Sequence, residues 1–331
     1  MDDLVLQRIT YRGSHDVPAP IPWPDGLAPS GTPYNRAADE PLPSADVIVV
    51  TWTAAEGEAL ADVLTPGMSS TTWKPYAHQW SSYEPQLTDR SPARDARCMG
   101  YAAQVTIGDV EVLAVKSELH LATDGISAPI VALWQQMVNE ARPKLVISTG
   151  TAGGIGAATQ LGDVFAVTNA KFNCTEEFKD KPWAQQLFTG PGIQGGGHGA
   201  SFDALVAPNA GRLRPVATRA PVLTFGGATG GVETIDYFGF ANTTDSFGIV
   251  RNYPEARTEE MDDATLPLAL DSVSDPPPWC SIRDASDPQV SSDIGDLAAQ
   301  KRWAAGIYQQ YGYWAAIGSV IATWAVIANL N

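Results

Sequence analysis

Residues Lys144 to Ala170 read KLVISTGTAGGIGAATQLGDVFAVTNA, and this stretch decides the fold. An apolar strand, KLVIS, runs into the glycine-rich segment TGTAGGIG, and a second strand-like run, LGDVFAVT, begins after a short polar break. The glycines let backbone approach a ligand closely. Upstream, DVIVVT (Asp46–Thr51) is a continuous, largely β-branched run of the kind buried on both faces of a sheet. AAEGEALADVL follows it with helical spacing. VEVLAVKS (Val110–Ser117) reads as a strand and ISAPIVALWQQMVNEA (Ile126–Ala141) as a helix. Strands alternating with helices predict a mostly parallel, covered sheet in one α/β domain that begins near Asp46.

Residues 1–45 are rich in Pro, Gly and Asp and predict an irregular surface extension. The segments near 66–97 and 179–220 lack periodicity and read as insertions on the 46–331 core, each able to shape a pocket rim. Trp314–Leu330 is apolar enough to raise the question of a membrane anchor, but its small polar residues and the helical spacing before it favour a buried closing helix. Lys+Arg 21 against Asp+Glu 37 gives a formal charge of −16, which disfavours a nucleic-acid polymer and leaves small ligands open. Three dispersed cysteines and an acidic N-terminus without an apolar signal core lead to the expectation of a cytoplasmic protein.

Alone, Thr149–Gly156 matches the TGxxxGIG pattern of short-chain dehydrogenases. The motif lies mid-chain, however, a strand-like run follows it, and no tyrosine has a lysine four residues later. The longer stretch resembles the nucleoside phosphorylase/nucleosidase superfamily, in which a strand ends in a T/V-G-S/T-A/C-G-G loop and the next opens with L/V-G-D. Four further segments resemble that superfamily in order: DVIVVTWTAAEGEAL (46–60), ATDGISAPIVAL (122–133), TTDSFGIVRNYPEARTEEMDDATLPLAL (243–270) and WCSIRDASDP (279–288). The resemblance implies a three-layer α/β/α domain with a mixed, twisted central sheet, a homo-oligomer, and no metal or organic cofactor.

It also implies site residues. WCSIRDASDP, set against the pattern R-x-I-S-D-x-A-D, puts the general acid on Asp284, with Arg283 where a serine is usual. A purine leaves an N-glycosidic bond poorly unless N7 is protonated or hydrogen-bonded, so a pocketed carboxylic acid suits the role. Glu260, Met261 and Asp262 match the ribose motif, Asp262 gripping the hydroxyls, although Asp263 leaves the register open by one. Phe247 falls on the base-stacking aromatic, and Thr151, Ala152 and Gly153 on the substrate-lining loop. Glu56 is the candidate for positioning water, with Glu58 behind it, while Thr53-Ala-Ala-Glu56 also reads as a capping box. His120 and Asp124 flank the second glycine turn. TWTAAEGEAL lacks a base and Ser148 stands where phosphorylases of this superfamily carry an arginine, so hydrolysis is expected over phosphorolysis. The alternatives are a phosphate-dependent phosphorylase and a non-catalytic nucleoside-binding or storage protein.

Overall fold

A computed structural model describes residues 20–193, 196–226 and 230–330. Among the described residues, thirteen strands form one mixed sheet. They are β1 (Ser30–Thr32), β2 (Val47–Thr51), β3 (Lys74–Tyr76), β4 (Gly100–Ile107), β5 (Val110–Ser117), β6 (Leu145–Gly154) and β7 (Val164–Val167). There follow β8 (Asn169–Asn173), β9 (Leu187–Thr189), β10 (Leu223–Phe225), β11 (Gly231–Ile235), β12 (Ala256–Glu260) and β13 (Trp279–Asp287). β2 lies between β5 and β6 and is parallel to both. β6 is parallel to β13 along most of its length, then pairs antiparallel with β12 at Gly153 and Gly154. β13 is antiparallel to β7, and β4 to β5. The sheet is thus mixed, as the resemblance implies, and less parallel than strand–helix alternation alone suggests.

β2 shows why its sequence has no polar face. Ile48 and Val50 enter one apolar core, while Val47 and Val49 enter the other. The helix Pro129–Ala141 covers the first core, and α1 (Ala54–Leu64) with the closing helix (Leu297–Ala328) covers the second. Helices on both faces of the sheet give three layers. The closing helix starts at Asp296, whose side chain accepts from the Ala299 N–H at 2.8 Å. The apolar stretch from Trp314 onward is almost wholly buried against the sheet and α1.

The glycine-rich segment is not a loop. β6 runs through it to Gly154, because β13 and β12 supply backbone partners there. Gly150 has φ 150° and sits where a Cβ would strike the side chains of Glu56 and Arg283. Of the expected N-terminal extension, residues 1–19 lie outside the described residues. The remainder is less irregular than its composition suggests: β1 pairs with β4, Trp23 packs on Trp324 at 4.8 Å, and Leu42 and Ala45 are buried. The 66–97 segment adds β3 to the edge of β4, and the 179–220 segment carries β9 and a helix, Phe202–Ala210, packed under the closing helix.

Candidate active site

A cavity of about 370 Å³ opens at the C-terminal ends of β2, β5, β6 and β12. Its wall includes Glu56 of α1, Thr151, Ala152 and Gly153 of β6, Glu259 to Asp262 at the end of β12, and Ser286 and Asp287 at the end of β13. Open α/β sheets bind ligands in such crevices.

Glu56 fills two roles at once. It closes the capping box with Thr53, and its Oε2 also accepts from Thr51 Oγ1 and the Trp52 N–H. Its Oε1 accepts from the Thr151 N–H and hydroxyl, both at 2.7 Å, with Arg283 Nη1 3.7 Å away. Burial alone would raise its pKa, but Arg283 and the Thr151 and Thr53 hydrogen bonds outweigh that and hold the carboxyl below its ordinary value. Glu58 lies elsewhere, accepting from the Ser69 and Ser70 hydroxyls.

The EEMDD segment divides its acids by direction. Asp262 lines the cavity; its Oδ1 accepts from the Leu121 N–H at 2.8 Å and its Oδ2 lies 3.4 Å from His120 Nδ1. Burial would lower the His120 pKa, yet Asp262 and Asp124 raise it, while burial lifts Asp124 to about 6. Glu260 ties the turn together by accepting from the Thr234 hydroxyl and the N–H groups of Asp262 and Asp263. Burial and the Asp263 charge push its pKa well up. Asp263 faces inward and accepts from Arg283 Nε at 2.9 Å, from Arg283 Nη2, and from the hydroxyls of Ser148 and Ser281. The one-residue ambiguity therefore falls to Asp262 on the cavity side.

Asp284 is not in the cavity. It faces Ser319 of the closing helix, fully buried, and neither carboxyl oxygen has a hydrogen-bond partner. Burial drives its pKa well above the ordinary range. The Arg283 side chain goes instead to Asp263, Ser148 and the Thr151 carbonyl.

The carboxyl that reaches the cavity from β13 is Asp287. A bulge sets Ser286 and Asp287 against one step of β6, Ala152 to Gly153, and both side chains line the cavity. The Ser286 hydroxyl lies 3.1 Å from Asp287 Oδ1. Burial raises Asp287 to about 7, partly offset by Ser286. The signal for this register was in the sequence. With Arg283 taken as the pattern's own arginine, Arg283-Asp284-Ala285-Ser286-Asp287 places serine before aspartate and removes the departure noted above.

Phe247 is also displaced from its expected role. It packs between Tyr237 (5.9 Å) and Phe240 (4.9 Å) and does not line the cavity, whereas Tyr237 and Phe238 of the same loop do. Sequence reading missed contributors from two further elements, the closing helix and the end of β5. Tyr308 and Gln309 of the closing helix enter the wall, as do Lys116 and Glu118, which pair with each other at the end of β5. Pro92 is the contribution of the 66–97 insertion; the described residues of the 179–220 insertion give none. Among the described residues, no group of three His, Cys, Asp or Glu side chains is arranged to hold a metal.

The fold is the nucleoside phosphorylase/nucleosidase-like α/β fold of the solved structures that the chain matches in shape. No protein-family model matches the chain, and no curated protein matches it in sequence. Solved structures do match in shape. The 5'-methylthioadenosine/S-adenosylhomocysteine nucleosidase of Neisseria meningitidis, in complex with methylthio-immucillin-A, is 16% identical with a TM-score of 0.52, covering 86% of this chain and 99% of that one. The futalosine hydrolase of Helicobacter pylori is 11% identical with a TM-score of 0.52, covering 86% of this chain and 97% of that one. The Helicobacter pylori 5'-methylthioadenosine/S-adenosylhomocysteine nucleosidase with butyl-thio-DADMe-Immucillin-A is 12% identical with a TM-score of 0.52, covering 86% of this chain and 99% of that one.

Proposed function

We propose that this chain is a purine nucleosidase, hydrolysing the N-glycosidic bond of a purine nucleoside to free base and sugar. Asp287 carries this reading: it is a carboxyl with a pKa near 7 in the cavity wall, with Asp262 and the ionised Glu56 in the same wall. In its neutral form Asp287 donates its proton to purine N7 as the C1′–N9 bond breaks and the electron pair passes to the base. Asp262, braced by Leu121 and His120, holds the ribose hydroxyls and stabilises the cationic sugar. Water then bonds to C1′ and passes its proton to Glu56. Water attacking an oxocarbenium-like carbon is strongly acidified, so a weak base with fixed orientation suffices.

Arg283 favours water over phosphate. It is the cation beside Glu56, but it is bound bidentately to Asp263, lies 3.6 Å from Glu260 Oε2 and stacks over Trp52 at 4.9 Å. Its charge is already matched by carboxylates, leaving little to bind a phosphate dianion. The test is release of free base from purine nucleosides in phosphate-free buffer. A phosphorylase would stall there until phosphate is added, and a binding protein would stay inactive with or without it.

A further inference from the structure

Lys116 and Glu118, at the end of β5, stand in the cavity wall and take no part in the mechanism above. Lys116 Nζ donates to Glu118 Oε1, and the two side chains keep 16% and 11% of their surface exposed, so the ion pair is sheltered yet open to a ligand. Gly57 of α1 leaves room for the lysine stem, since a Cβ there would lie 3.0 Å from Lys116 Cγ. The sheet fixes where the pair falls relative to the acid. β2 and β5 lie on one side of β6, and β13 with Asp287 lies on the other. Three strand steps, roughly 14 Å at the backbone, separate β5 from β13. Asp262 is braced from the segment that carries the pair: it accepts from the Leu121 N–H and lies beside His120, two residues beyond Glu118. In a nucleoside the base is on C1′ and the exocyclic C5′ is on C4′, across the ring oxygen. With N7 at Asp287 and the 2′- and 3′-hydroxyls on Asp262, the 5′ end points toward Lys116 and Glu118.

We infer that the Lys116–Glu118 pair receives the 5′ end of the substrate and that the site selects purine nucleosides with a free 5′-hydroxyl. The inference rests on the nucleosidase reading and adds the group the substrate carries at C5′. A 5′-hydroxyl donates to the Glu118 carboxylate and accepts from the Lys116 ammonium, so both charges keep a polar partner when water leaves the cavity. An alkyl or alkylthio group in that place covers the ion pair and returns no hydrogen bond, a desolvation cost without compensation. A 5′-phosphate meets the Glu118 carboxylate, and the cation beside it is already matched.

The test on the full chain compares adenosine with its 5′-deoxy, 5′-methylthio, 5′-monophosphate and 3′-deoxy counterparts, and inosine with 5′-deoxyinosine. The readout is kcat/KM for base release in phosphate-free buffer, or the calorimetric dissociation constant where no base is released. The native chain is expected to prefer each 5′-hydroxyl nucleoside about 30-fold over its 5′-deoxy and 5′-methylthio counterparts, and to disfavour the monophosphate at least as strongly. Lys116→Met/Glu118→Leu replaces the pair with apolar side chains and leaves no lone charge. This double variant is expected to bring adenosine, 5′-deoxyadenosine and 5′-methylthioadenosine within about threefold of one another, with the ratio of adenosine to 3′-deoxyadenosine, set at Asp262, unchanged. Glu118→Gln keeps an acceptor and frees Lys116 of its counter-charge, and is expected to improve the monophosphate relative to adenosine by about tenfold. Equal handling of adenosine and 5′-deoxyadenosine by the native chain, a monophosphate favoured over the nucleoside, a 5′ preference that survives in the double variant, or a monophosphate ratio unmoved in Glu118→Gln overturns the inference. If the expected pattern appears in binding but no base is released, the nucleosidase reading fails and the 5′ assignment stands. If base is released without regard to C5′, the reverse holds, and if nothing binds or reacts both fail.

Discussion

Asp284 and Asp287 lie three positions apart on one strand, both deeply buried and both with raised pKa values, yet they occupy different chemical worlds. Asp284 sits mid-strand under the closing helix, facing Ser319, with no hydrogen bond to either oxygen. Asp287 lies past the bulge, beside Ser286, in the wall of the cavity. Burial raises a carboxyl pKa wherever it occurs, so a raised value does not by itself mark a catalytic acid. Access to a substrate-sized space makes the difference, and the bulge at Ser286 supplies it.

The sharpest way to break this comparison is to remove the acid at each position in turn. Asp287→Asn is expected to lower kcat on a purine nucleoside by about 10³-fold, with substrate affinity little changed, because the amide cannot protonate N7. The pH profile gives a second check. Asp287 must be protonated and Glu56 ionised, so kcat should fall as pH rises through about 7. The acid limb should lie below the ordinary glutamate range, since Glu56 is held down there. A rate that climbs above pH 7 would remove Asp287 from the role of acid. Glu56→Gln is expected to cost about 10²-fold in kcat, and some stability through the capping box, measurable as a lower Tm.

Asp263 extends the comparison to a third carboxyl that is buried and fully engaged. Asp263→Asn removes the bidentate partner of Arg283 and leaves Glu56 and Glu260 to hold the guanidinium. The expected result is about a tenfold loss of kcat/KM, destabilisation of about 3 kcal/mol in chemical unfolding, and inhibition by inorganic phosphate that the native chain does not show. Unchanged phosphate sensitivity would mean that the carboxylates around Arg283 do not exclude the anion.

The difference between these acids also explains what was legible in the sequence. The strands β2 and β5 and helix α1 were readable because burial on both faces or one helical face leaves a strong periodic signal. Glu56 and the Asp262 turn were readable because ordered motifs fix their positions relative to a strand end. A slip of three in the motif register put the proposed acid on Asp284, although Arg283, Ser286 and Asp287 carry the pattern's arginine, serine and aspartate; what the sequence does not show is the bulge that turns Ser286 and Asp287 together into the cavity wall. Phe247 failed for a related reason, since its loop carries four aromatics, Tyr237, Phe238, Phe240 and Phe247, and only packing selects which of them reach the cavity. Lys116, Glu118 and Tyr308 arrive from elements whose own sequence carries no site motif; long-range packing brings them to the wall.

The smallest expected effect falls on Asp284 itself. Asp284→Asn keeps the shape and leaves every group in the cavity wall in place, so kcat should stay within about threefold of the native value. Its thermodynamic effect has a definite sign. The folded-state pKa is raised above the unfolded one, so the protonated acid is tolerated at low pH and stability is lost as pH rises above the unfolded value toward the folded one. Asp284→Leu removes both the ionisation and the unmatched polar atoms beneath the closing helix, and its Tm should exceed that of the native chain at pH 8 by more than at pH 5. A loss of activity in Asp284→Asn as large as that in Asp287→Asn would return the proton to Asp284 and sever the link between cavity access and catalysis on this strand.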